Sequence, residues 1–70
     1  MSKILNREQA EKIAAKILDA LEPEDYPQML KLNRESAIRQ IVDHAAVNEN
    51  QYERGYLTNA VLVIESDLSY

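Results

Sequence analysis

Gly55 is the only glycine in this 70-residue chain, and Pro23 and Pro27 are its only prolines. Glycine tolerates positive φ and proline fixes φ, so these are the residues that most readily turn a chain. A sequence so poor in them has little room for loops or turns. With 46% hydrophobic residues it can nevertheless fold, and at this length it makes a single domain, residues 1–70. One core of this size rarely supplies more than about 3 to 5 kcal/mol, and chains of this kind often add disulfides, a metal or a partner. There is no cysteine, which removes disulfides, thiolate chemistry and most structural zinc sites.

The apolar spacing then points to helices. Ala10, Ile13, Ala14, Ile17, Leu18 and Leu21 recur on one helical face, with Glu8, Glu11, Lys12, Lys16 and Asp19 on the other, which predicts an amphipathic helix over 7–22. Asn6 suits the N-cap, Gln9 stands at the reciprocal capping-box position, and Pro23 ends the run. The stretch 22–33 contains both prolines and reads as a structured bend with an extra short helical turn at 27–31. Its Met29, Leu30 and Leu32 are apolar enough to lid one end of the core. Asn33 caps a second helix over 34–46, with Ala37, Ile38, Ile41, Val42 and Ala45 on one stripe. Glu35, Arg39 and Asp43 follow at i,i+4 on the opposite face.

The third element, from about Asn50 to Asp67, is read as helix because Leu57, Val61, Ile64 and Leu68 share one helical line. Val61-Leu62-Val63-Ile64 would also suit a strand, but no second convincing strand is there to pair with it. With Tyr56, Ala60 and Val63 the apolar arc spans about half the circumference, against roughly 100° for an ordinary surface helix. Such a helix is either central or part of a contact with another chain. The expected fold is therefore an all-α, small three-helix bundle with Ile13, Ile17, Leu21, Ile38, Ile41, Leu57, Val61 and Ile64 at its centre.

Several functions meet concrete obstacles. One glycine cannot build a phosphate-cradling loop. His44 is the sole histidine, and its helical neighbours Gln40 and Asn48 are a poor ligand set, so it reads as a boundary residue rather than a metal ligand. Glu22, Glu24 and Asp25 lack the spacing of a calcium loop. No nucleophile and base are assembled, so no enzyme is expected, and no metal or cofactor. Acyl carrier proteins have similar size and acidity, but here Ser66-Asp67-Leu68-Ser69 lies too near residue 70 to begin a helix. No apolar stretch approaches the roughly 20 residues that span a bilayer, and no signal sequence is visible. A cytoplasmic protein without membrane contact is expected.

Residues 41–52 resemble a helix-turn-helix, with a turn near Ala45 to Asn48 and Asn50, Gln51 and Arg54 presented beyond it. Residues 34–54 carry three basic and four acidic residues within a chain of net charge −4. Nucleic acid is thus a disfavoured partner, since phosphate binding depends on Lys and Arg. A helix-turn-helix-like nucleic-acid-binding regulator stands as the alternative reading, together with an acidic DNA mimic. The leading expectation is a non-catalytic protein-binding module, a small regulator or inhibitor of bacterial or phage type. It would occupy a partner surface or form a homodimer through the third helix. Tyr52, Arg54, Tyr56 and Val63 are its candidate contacts, because tyrosine and arginine most often anchor interfaces.

Overall fold

The computed structural model describes residues 4–49 and 51–69. Asn50, the expected start of the third helix, lies outside them. In chain order the elements are β1 (Ile4–Leu5), α1 (Arg7–Ala20), a 3-10 turn (Met29–Lys31), α2 (Arg34–His44), β2 (Ala46–Asn48), β3 (Gln51–Glu53) and α3 (Arg54–Leu68). The molecule is predominantly helical, with three helices packed on a small antiparallel sheet of strand order β1-β3-β2. A pure three-helix bundle is therefore corrected to a helical domain with a sheet at one end.

Both helix starts follow from their asparagines. The Asn6 Oδ1 accepts the Gln9 N–H at 2.8 Å, and the Gln9 side chain accepts the Asn6 N–H at 3.2 Å, satisfying two donors that a helix start leaves free. Asn33 accepts the N–H groups of Glu35 and Ser36 at 2.9 and 3.4 Å. The helices end sooner than the apolar pattern suggests. α1 stops at Ala20, two residues before the expected end, because Leu21 is already extended ahead of Pro23 (φ −70°, ψ 139°). α2 stops at His44, and Ala45 closes it by donating to the carbonyls of Ile41 and Val42.

The largest departure is residues 46–53. In place of a turn and the opening of a third helix, 46–48 and 51–53 are the antiparallel strands β2 and β3, and α3 begins only at Arg54. Strand β3 gains a partner on each side, since Leu5 lies opposite Tyr52 and Ile4 opposite Glu53 in β1, while Ala46 and Asn48 of β2 pair with Tyr52 and Gln51. The pairing satisfies backbone groups and directs the apolar side of the sheet inward. Leu5 and Tyr52 are both buried, and such opposed side chains are the unit of sheet stability. The strands that seemed to be missing are only two or three residues long.

In the core, Ile41, Leu57, Val61 and Ile64 are buried as expected. Burying such side chains contributes about 1.5–3 kcal/mol each. Ile13, Ile17, Leu21 and Ile38 pack against this core but are only partly buried, and the innermost line of α1 is Ala10, Ala14 and Leu18. The shift reflects two neighbours: α1 packs on both α2 and α3, so its deepest line lies between them and Ile13 and Ile17 fall on the α3 flank. Met29 is buried, whereas Leu30 and Leu68 are exposed. The run 61–64, ambiguous in sequence, is helical.

Candidate functional site

α3 is held in place from both ends. At its start, β3 leads directly into it, and the Tyr52 hydroxyl accepts a hydrogen bond from Arg7 Nη1 at 3.1 Å. Near its end stands Glu65, a buried carboxylate that pairs with no cation among the described residues. Its oxygens accept the backbone N–H of Met29 at 2.8 Å and of Gln28 at 3.2 Å, capping the 3-10 turn. The Ser69 hydroxyl donates to the Glu65 carbonyl at 2.8 Å and lies 3.3 Å from Oε2. Glu65 thereby ties the proline-marked connector to α3. Charge-assisted bonds of this sort explain how an acidic side chain tolerates burial.

With Leu57, Ala60, Val61, Ile64 and Glu65 turned inward, the opposite side of α3 is presented to solvent. Tyr56 is 50% exposed and Leu62 53%, and Val63 is also exposed. From Gly55 to Ser66 the only charged residue is the buried Glu65, although 29% of the chain is charged. Single exposed apolar residues are ordinary on protein surfaces. Three of them share an uncharged exposed side of one helix with the polar Thr58, Asn59 and Ser66.

The four sequence candidates are not brought together. Tyr52 is 4% exposed and belongs to the core under the hairpin, so it is not one helical turn from Tyr56 and its removal would damage the fold. Arg54 opens α3 and stands at the edge of a groove between α1 and α3, lined by Ile13, Lys16, Ile17, Ala20, Arg54 and Thr58. Tyr56 and Val63 lie on the exposed face, seven residues or roughly 10 Å apart at the helical rise. Sequence reading missed Leu62 and Lys16. Leu62 could have been singled out, because it falls off the line of Leu57, Val61 and Ile64 by more than a quarter turn.

A second groove runs between α1 and α2, lined by Glu8, Glu11, Lys12, Glu35, Ile38 and Arg39. Here charges interlock: Lys12 pairs with Glu8 at 3.8 Å, and Arg7 with Glu11 at 3.5 Å and with Asp43 of α2 at 3.7 Å. Asp19 and Arg34 form a two-point pair, with Nη2 to Oδ2 at 3.0 Å, that joins the end of α1 to the start of α2. The hydrogen bond from Arg34 holds the Asp19 carboxyl below its ordinary pKa, against an opposing effect of desolvation and with a further contribution from the Arg34 charge. The Arg7 guanidinium is held more firmly protonated, first by its bond to Tyr52 and further by Asp43 and Glu11. The i,i+4 partners along α2, Glu35 with Arg39 and Arg39 with Asp43, do not form ion pairs, and Asp43 pairs with Arg7 of α1.

Comparison of the chain with protein families, with curated proteins and with solved structures finds no match in any of the three. What the site can do therefore rests on its own geometry. His44 is exposed at the last turn of α2. Among the described residues no group of three His, Cys, Asp or Glu is arranged to hold a metal ion, and no helix is long and apolar enough to cross a membrane.

Proposed function

We propose that this chain is a non-catalytic protein-binding module, a small regulator or inhibitor that acts by covering a surface of a larger protein. The contact is the outer side of α3, carried by Tyr56, Leu62 and Val63, with Arg54 at its border. The observation that supports it is the uncharged exposed face from Gly55 to Ser66, bearing Tyr56, Leu62 and Val63, on a chain of which 29% is charged. Interface centres are depleted in charge and enriched in aromatic residues, with arginine common among the anchors. The lack of cysteine suits a reducing compartment such as the cytoplasm.

The nucleic-acid alternative loses support, because residues 46–48 are strand rather than a turn between helices. Tyr56→Ala and Leu62→Glu test the proposal, since both side chains are exposed and their replacement leaves the core intact. Each variant is expected to keep the wild-type melting profile while losing a partner that immobilised wild-type chain retains. A partner held equally by the wild type and the Tyr56→Ala/Leu62→Glu double variant would place binding elsewhere.

A further inference from the structure

We infer that the groove between α1 and α3 receives an acidic amphipathic helix of the partner. The inference rests on the protein-binding reading and names the chemistry of what binds. The groove floor is set by Ile13, Ile17 and Ala20, at i, i+4 and i+7 along α1. That ladder is roughly 10 Å long, two turns at a rise of about 1.5 Å per residue, and matches the apolar ridge of a helix laid along it. Thr58 and Arg54 of α3 form the opposite wall, and Leu62 stands one turn beyond Thr58. Leu62 does not itself line the groove, but it shares the exposed side of α3 with Thr58, which does.

Charge selects the occupant. Among the described residues, the only charged ones lining the groove are Lys16, on α1, and Arg54, on α3. Neither is in an ion pair among the described residues, although acids outnumber bases 12 to 8 in the chain. The acidic residues of α1 are engaged away from this groove, Glu8 with Lys12, Glu11 with Arg7 and Asp19 with Arg34. A cation on each lip and an aliphatic floor between them complement a helix with an apolar stripe flanked by carboxylates. Two cations within a chain of net charge −4 are too few for a nucleic-acid backbone.

The test uses the full chain and two synthetic helical peptides of about 20 residues, long enough to form isolated helices. Both carry leucine at i, i+3/i+4 and i+7, one flanked by glutamate and the other by lysine, and fluorescence anisotropy reads their binding. The glutamate peptide is expected to bind at least about tenfold more tightly than the lysine peptide. Lys16→Glu with Arg54→Glu should reverse that preference, a gain of binding that no unfolded variant would give. Equal binding of both peptides, or a preference unchanged by the charge reversal, would overturn the inference. So would vesicles of anionic phospholipid binding the chain through Lys16 and Arg54 in place of the peptide, or a homodimer that the charge reversal dissociates. Loss of a natural partner by Leu62→Glu but not by the charge reversal would sink the groove and leave the protein-binding reading standing. Insensitivity to both would sink the two together.

Discussion

The two flanks of α1 are built from different interactions. Toward α2, charged side chains bridge the seam, with Arg34 on Asp19 and Arg7 on Asp43, and the groove above it holds acids and bases together. Toward α3, the seam is aliphatic, and the two cations on its lips are unpaired among the described residues. The difference separates stability from recognition. Exposed ion pairs add little to folding, while apolar burial supplies most of it. Both flanks share the buried core, through Ala37, Ile41 and Val42 of α2 and Leu57, Val61 and Ile64 of α3; the α3 flank adds two cations beside apolar surface at its groove, whereas on the α2 flank Glu8, Glu11, Lys12 and Asp43 stand in ion pairs.

The comparison is broken first by core substitution. Leu57→Ala, at a fully buried position of α3, should cost about 3 kcal/mol in urea unfolding, within the usual 2–5 kcal/mol for such a change. This is a large share of what a domain of this size possesses. Should the loss be no greater than that from removing the exposed Arg34–Asp19 pair, the ranking of apolar burial above surface ion pairs would fail. A smaller loss is expected for Glu65→Ala, which leaves the N–H groups of Gln28 and Met29 without their acceptor. An unsatisfied buried donor costs about 1–3 kcal/mol. Amide hydrogen exchange at Gln28 and Met29 should speed up in that variant, and unchanged exchange would refute the latch.

The smallest effect belongs to the charged seam. Arg34→Gln should change stability little at neutral pH, and whatever it changes should fade as salt is added. Its pH dependence has a definite sign. Because the fold holds the Asp19 carboxyl below its ordinary pKa, the contribution is present above the unfolded value of about 3.9 and is lost as pH falls through the folded value. Arg34→Gln should accordingly flatten the acid limb of the stability curve below about pH 4. An acid limb identical to that of the wild type would show that the pair does not couple to folding.

Much of this arrangement was legible in the sequence, and the parts that were not share a physical cause. The caps at Asn6 and Asn33, the stop before Pro23 and the helicity of 57–65 are local, decided by residues within a turn of one another. The sheet is not local. Its strands are two or three residues long, too short to display a period, and the Arg7–Tyr52 bond that supports it joins residues 45 apart in the chain. The same blindness misplaced Tyr52, whose partner Leu5 lies at the other end of the sequence. For the candidate site, Tyr56 and Val63 could be named from the apolar arc, which is a property of one helix, and Arg54 from its residue type beside the tyrosines. Lys16 was not, because a groove between two helices exists only once they pack. In α1 the buried line runs through Ala10 and Ala14 rather than Ile13 and Ile17 for the same reason: the direction of two neighbours, not hydrophobicity alone, decides which face is deepest.

The proposed recognition surface is α3 and its border with α1. Amide nitrogen–proton NMR spectra of the full chain, recorded as the glutamate-bearing helical peptide is added, test it residue by residue. Chemical-shift changes are expected to concentrate at Ile13, Lys16, Ile17 and Ala20 and along Arg54, Thr58 and Leu62. Changes concentrated instead at Glu8, Lys12, Glu35 and Arg39, on the other flank of α1, would contradict it.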